Sequence, residues 1–296
     1  MRTGRSRQVR LIPRWITPSS TCKTSSRGMR AASSLSEDSA MLRTLFTVSA
    51  FSLALTWTVA ADAGVIINAT RIIYNENSGE AITQLRNQGT SPVLIQSWID
   101  NGDVKSKPDT VKVPFTLTPP VARIDPGKGQ ALRIARTGGG LPSNRESLFW
   151  LNVLEIPPKA TQKIAAGDNL MQFSFRTRIK LFYRPNNLPM TPAQAYEKLD
   201  LSLRKGAAGY EIVAKNPSPY YLTFRQIEIR SAKGAPVLGD LGKTQERMVA
   251  PFGELVMKIQ GMKSAPSAGL KAFYSLIDDF GGDNKNERTL AGSGKS

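Results

Sequence analysis

Residues 171–183 read MQFSFRTRIKLFY. Met171, Phe173 and Phe175 alternate with Gln172, Ser174 and Arg176, the period of two that sends one set of side chains to one face of a β-strand. The run continues through Thr177, Arg178 and Ile179 to Lys180. Strict alternation puts Lys180 on the face opposite Met171, Phe173 and Phe175. Twist or a bulge would change that, and both arrangements stay open at the level of sequence.

Working back toward the N-terminus, short apolar or alternating runs recur from residue 64: GVIINATRIIY, AITQLRN, VLIQSWI, VKVPFTL, QALRIAR and SLFWLNVLEI. Turn chemistry separates them at 75–79, 87–92, 101–103, 125–127 and 138–144. With 171–183 this makes seven strands and no convincing helix, which predicts a β-sandwich of the immunoglobulin type over 64–184. The segment RPNNLP at 184–189 breaks the pattern and predicts a short hinge over 185–192. A second series follows in LDLSLR, YEIVAKN, YLTFRQIEIR, ELVMKI and KAFYSLID, predicting a smaller sandwich over 193–285. The stretch TPAQAYEK at 191–198 has room for one helical turn, and residues 283–296 are polar enough to fray, with 286–296 as a flexible tail. The fold class expected is all-β, two immunoglobulin-like domains joined by a hinge.

Composition narrows the function. The 296 residues, 40% of them hydrophobic, suffice for two domains with real cores. The formal charge of +17 is inflated by the N-terminus: nine of the 40 Lys and Arg and three of the 23 Asp and Glu precede Gly64, leaving a net of +11. That remainder favours an acidic partner or a carboxylate by long-range attraction. Histidine is absent, which removes Ser-His-Asp and Cys-His catalysis, His-ligated zinc and the commonest general base at neutral pH. The single cysteine, Cys22, supports neither a disulfide nor a metal site. No enzyme activity, cofactor or metal is expected. No phosphate-cradling glycine loop follows a strand and no aromatic-interleaved basic platform stands out, so nucleic acid is not the expected partner.

Residues 41–63, MLRTLFTVSAFSLALTWTVAADA, have a basic start at Arg43, an uncharged run over 44–61 and the exit Ala61-Asp62-Ala63. This is the anatomy of a secretory signal peptide cleaved after Ala63 or Ala61. The run approaches the length of a membrane anchor, but Thr and Ser interrupt it and the small-residue exit favours cleavage. Residues 1–40 are Arg- and Ser-rich without hydrophobic periodicity. They read as a long basic leader, a regulatory tail, or sequence upstream of a translation start at Met41, and the last reading is favoured.

Five motifs carry a resemblance: LTPPVARIDPG at 117–127, RESLFWLNVLEIPP at 145–158, IKLFYRP at 179–185, NPSPYYLT at 216–223 and DDFGG at 278–282. Together, in order and spacing across 65–282, they resemble the periplasmic pilus (fimbrial) chaperones of the chaperone-usher pathway. The resemblance implies an L-shaped pair of sandwiches in the periplasm, with pilus subunits and an outer-membrane usher as partners. Self-association of the free chaperone stays open. A subunit of this pathway is an incomplete sandwich, and the chaperone lends it a strand. The strand at 171–183 would be the donor, with Met171, Phe173 and Phe175 filling the subunit's groove. Lys180 would join Arg71 of the first strand in gripping the subunit's C-terminal carboxylate, a forked donor beside a compact charge. Glu146, Arg184 and Asp279 would form a network that fixes the hinge angle. One bond of Thr118-Pro119-Pro120 would be cis. Phe173, Phe175, Arg176 and Arg178 are bulkier and more cationic than the aliphatic-rich family pattern and are expected to tune which subunits fit. The twelve residues between Pro158 and Met171 resemble the subclass with a short loop before the donor strand, which serves rod-like pili with tip adhesins. A secreted immunoglobulin-like structural or adhesive pilus component is the alternative, disfavoured by two complete domains.

Overall fold

The computed structural model describes residues 64–159, 171–207, 209–242, 245–262 and 269–290. The leader, the signal peptide, Cys22 and residues 160–170 of the loop before the donor strand lie outside them.

Among the described residues the first domain has nine strands: β1 (Val65–Ile67), β2 (Arg71–Asn75), β3 (Glu80–Asn87), β4 (Val93–Asp100), β5 (Phe115–Thr118), β6 (Val121–Ile124), β7 (Gly129–Arg136), β8 (Ser147–Ile156) and β9 (Phe175–Arg184). One sheet has the order β1-β3-β7-β5, the other β2-β9-β8-β4-β6. The run at 64–74, read as one strand, therefore splits between two sheets: β1 pairs with β3, and β2 lies parallel to β9. Between the sheets alternate residues form the core, among them Ile72 and Tyr74, Ile95 and Ile99, Leu132 and Ile134, Leu151 and Val153, and Leu181 and Tyr183. The rings of Tyr74, Phe115, Phe149 and Tyr183 close one region of it, with neighbouring centroids 5.0 to 6.3 Å apart. The Thr118–Pro119 peptide bond is cis.

Between the domains a helix, α1 (Pro192–Lys198), makes about two turns rather than the one expected. Its start is fully specified: Thr191 caps Gln194, Gln194 answers onto the Thr191 N–H, and Pro192 opens the first turn. The second domain contains β10 (Asp200–Gly206), β11 (Gly209–Lys215), β12 (Leu222–Arg230), β13 (Gly239–Leu241), β14 (Met248–Val249), β15 (Glu254–Gln260), β16 (Lys271–Ile277) and β17 (Asp283–Thr289). Their pairings run β10-β11-β15-β13-β12-β16-β17, with β14 also on β12. The three-residue β13 links the two halves of this sandwich, whose core includes Leu201, Ile212, Phe224, Ile227, Met257, Tyr274 and Leu276.

The reading of 283–296 as frayed is corrected for its first part. Residues 283–289 pair with β16 along their whole length, and Leu290 is buried behind them. No side chain of β17 is fully buried, so the strand is held by its backbone ladder and leaves no apolar alternation in the sequence.

Candidate functional site

The strand expected over 171–183 begins four residues later, at Phe175. Its antiparallel partner explains why. Phe175 stands opposite Glu155, so Phe173 and Gln172 would meet Pro157 and Pro158, which have no N–H to give to a ladder. Gln172 instead donates through Nε2 to the Pro158 carbonyl at 2.5 Å.

From Phe175 onward β9 has two environments. Residues 180–183 lie between β8 and β2, while residues 175–179 pair with β8 alone. Among the described residues no strand covers the other side of 175–179. The first domain thus presents an open run of backbone donors and acceptors, and β2 closes it at the register pair Arg71–Lys180.

The ladders of β9 run without a register shift, so the alternation holds throughout. Leu181 and Tyr183 point into the core, and Phe173 and Phe175 continue that side beyond the covered part of the sandwich. Met171, Phe173 and Phe175 are 79%, 61% and 65% exposed, so they are not core residues of this chain. The two rings lie 6.5 Å apart and line a cavity of about 620 Å³ with Val65, Val93, Glu155 and Pro158. Lys180 occupies the opposite face, with its ammonium 5.5 Å from the Trp150 ring.

Arg71 is largely buried. Its Nη1 donates to the Ile277 carbonyl of the second domain at 3.0 Å, its guanidinium lies 5.6 Å from the Phe182 ring, and its Nε has no partner. Neither Arg71 nor Lys180 reaches a carboxylate within ion-pair distance among the described residues. Burial lowers the pKa of both, and Arg71 lowers that of Lys180 further. These are two partly desolvated cations side by side with no carboxylate in contact among the described residues, an arrangement that attracts an anion.

Glu146, Arg184 and Asp279 meet between the domains. Arg184 donates Nε to Glu146 at 2.8 Å and sends Nη1 and Nη2 to the two Asp279 oxygens at 2.7 and 2.8 Å. The second Glu146 oxygen accepts the Tyr221 N–H at 2.8 Å, and the Arg184 guanidinium lies 4.9 Å from the Tyr220 ring. Burial pushes the Glu146 carboxyl up, against the pull of Arg184. Arg184 is held above the ordinary arginine range because its two carboxylate partners outweigh its own burial. The tyrosines are presented by a turn that Asn216 ties down: its amide donates to the Tyr220 and Ala250 carbonyls, and its Oδ1 accepts from Ser218.

A second tie joins the end of β9 to the hinge, and the sequence reading missed it. Glu76 accepts from the Tyr183 hydroxyl at 2.6 Å, from Arg136 at 3.0 Å and from the Asn186 N–H at 3.0 Å. Burial and the bond to Glu76 push the Tyr183 hydroxyl up to about 12.

Arg176 and Arg178, expected to tune the fit of subunits, are engaged within the chain itself. Both are bound within the first domain on the Lys180 face, Arg178 to Asp100 and Arg176 to Asn152. A lone aspartate before the Asn101-Gly102 turn gave no signal of this in the sequence. Among the described residues no cluster of acidic or cysteine side chains is placed to hold a metal.

Comparison with known proteins places this geometry. Residues 64–189 match the family of pili and flagellar-assembly chaperones, PapD N-terminal domain, and residues 194–288 match the C-terminal domain of the pili assembly chaperone PapD. The chaperone protein FimB/FhaD of Bordetella pertussis is 43% identical over 238 residues, covering 78% of this chain and 90% of that protein. The probable fimbrial chaperone YadV of Escherichia coli is 38% identical over 238 residues, covering 80% of this chain and 94% of that protein. The crystal structure of YadV covers 77% of this chain and 100% of its own at a TM-score of 0.64. A Salmonella enterica SafB chaperone, solved in complex with the SafA pilin, aligns at 25% identity and a TM-score of 0.60, covering 78% of this chain and 99% of the matched one. With both domains matched in order and nearly the whole length of these relatives spanned, the chain belongs to the PapD-type pilus assembly chaperones.

Proposed function

We propose that this pilus assembly chaperone captures subunits by lending them the open edge of β9, and that Arg71 and Lys180 hold the subunit's C-terminal carboxylate. The observation that carries the reading is the coincidence of two boundaries: the unpaired backbone edge ends at the same residue pair where two cations lack a counter-charge. A subunit strand laid along 175–179 stops against β2, and its terminal carboxylate meets the cations there. With its C-terminus at Lys180, that strand runs parallel to β9. Phe173 and Phe175, with Met171 beyond them, then enter the groove of the incomplete subunit and cover the apolar surface that would otherwise drive aggregation.

The network of Glu146, Arg184 and Asp279 holds the second domain against the first, which keeps the Ile277 carbonyl in place to orient Arg71. Export through the signal at 41–63 brings the chain to the periplasm, where it passes its subunit to an outer-membrane usher. Without a subunit the same edge is open to a second copy of the chain, and sedimentation over a range of concentrations reports that pairing.

Co-expression with the pilus subunits tests the mechanism. Wild-type chaperone yields soluble complexes, and Arg71→Glu or Lys180→Ala loses them while still folding. Retention of wild-type complex by both variants would rule out the carboxylate anchor. N-terminal sequencing of periplasmic material is expected to start near Gly64, after Ala63 or Ala61, and an intact signal in a membrane fraction would overturn the export reading.

A further inference from the structure

Asp100 is a fully buried carboxylate to which the capture mechanism gives no task. It lies at the end of β4, on the side of the sheet away from the core. Its Oδ1 accepts from Arg178 Nη2 at 2.5 Å and from the Gly102 N–H at 2.7 Å, and its Oδ2 from Arg178 Nε at 3.1 Å and Asn152 Nδ2 at 2.7 Å. Arg176 adds its charge at 3.8 Å from Oδ2 and binds Asn152 Oδ1 through Nε and Nη2 at 2.9 and 2.7 Å. It also donates to the Val104 carbonyl at 2.8 Å. The two guanidinium groups sit over indole rings, Arg178 at 4.1 Å from Trp150 and Arg176 at 4.7 Å from Trp98.

The placement of this cluster along β9 is selective. Arg176 and Arg178 fall within 175–179, the part of β9 that among the described residues has a strand on one side only. A strand with one neighbour frays more readily than one with two, and the two arginines tie it across β8 to β4, so the sheet supplies from its face what the open edge lacks. Carboxylate, guanidinium and amide satisfy one another, which makes the cluster rigid.

We propose that Asp100, acting through Arg178 and Arg176, is a positioning residue for subunit capture that keeps the open half of β9 extended and in register before a subunit arrives. This rests on the mechanism proposed above. A donor edge ordered in advance spares the encounter the cost of ordering it.

The test uses the full-length mature chain with Asp100→Asn and Arg178→Met combined, a pair that removes both charges and strands neither. Hydrogen exchange on the free protein is read first. Amides of 175–179 that bond to β8 exchange faster by about tenfold, the scale of a lost hydrogen bond to a charged group, while amides of β3, β7 and the second domain keep their rates. Complex formation with the subunit slows by a similar factor, with Met171, Phe173, Phe175 and Lys180 untouched. Unchanged exchange at 175–179 overturns the proposal, as does faster exchange with unchanged capture. Faster exchange throughout the protein assigns the cluster to general stability and also overturns it. Should the double variant not accumulate, Arg176→Gln, at a partly exposed side chain, carries the same comparison. Failure of the wild type to capture subunits would sink the capture mechanism, whereas the exchange measurement decides the bracing without a subunit.

Discussion

Arg71 stands directly opposite Lys180 where β2 begins its parallel pairing with β9, and the open edge of β9 ends at that pair. The two residues are not equivalent. Arg71 also donates to Ile277 across the domain boundary, whereas Lys180 rests on Trp150 of its own sheet. Lys180→Ala is therefore expected to separate binding from folding. It weakens the subunit complex by about 1.5–3 kcal/mol, roughly tenfold to a hundredfold, the range for a hydrogen bond to a charged group. Its urea midpoint stays near that of the wild type. Equal losses in both measurements would place Lys180 in the fold and not in the site.

Phe173→Asp and Phe175→Asp are expected to leave the free protein's stability within about 0.5 kcal/mol, because both side chains are already in solvent. Subunit capture falls by roughly 1.5–3 kcal/mol for each, the scale of burying one large apolar side chain. Titration of purified variants with refolding subunit measures this, and undiminished capture would show that the rings do not enter the groove.

Arg184→Ala strands Glu146 at 3% exposure together with Asp279. Removing one partner of a buried pair typically costs about 3–5 kcal/mol, so the variant should unfold at lower urea. Small-angle scattering is expected to report a broader distribution of distances between the two domains. A wild-type scattering profile would remove the hinge-fixing role from this network.

Hydrogen bonds from Tyr183, the Asn186 N–H and Arg136 hold the Glu76 carboxyl below its ordinary value of 4.5. A carboxylate with a lowered folded-state pKa stabilises fully above its unfolded value, and that stability is lost as pH falls through the folded value. Glu76→Gln should therefore be less stable than the wild type at neutral pH, with the difference narrowing below pH 4.5. Unfolding midpoints across that window measure it, and a constant difference would mean that the charge of Glu76 is not what ties β9 to the hinge.

Much of the fold was legible because a half-buried strand must alternate. In VLIQSWI the residues Val93, Ile95 and Ile99 share one face with only Ser97 between them, in QALRIAR Leu132 and Ile134 do likewise, and β4 and β7 formed there. The split of 64–74 was hidden because Asn68-Ala69-Thr70 is a weak turn signal, and the change of sheet is decided by pairing with distant β3 and β9. Strand β17 was hidden because neither of its faces is fully buried. For the site, alternation put Met171, Phe173 and Phe175 on one face, but their reading as groove-fillers, like the roles of Arg71, Lys180, Glu146, Arg184 and Asp279, came from resemblance, since alternation alone does not tell a donor face from a core face and charges distant in sequence carry no spacing rule. The self-contained bonding of Arg176 and Arg178 was invisible because it depends on Asp100, 76 and 78 residues away.

The abrupt end of the open edge against β2 gives the chaperone a ruler. Lys180 lies five residue steps beyond Phe175, about 17 Å of extended chain, and twist is the only slack in that interval. Under the capture mechanism proposed above, a client would be accepted by arithmetic: the count of residues between its last carboxylate and its groove would have to suit the interval. Conservative changes inside the groove alter the fit by degrees. One residue deleted near the client's end shifts the whole register and turns every following side chain to the wrong face. The proposed mechanism therefore expects subunits to diverge in sequence more readily than in the length of their final strand.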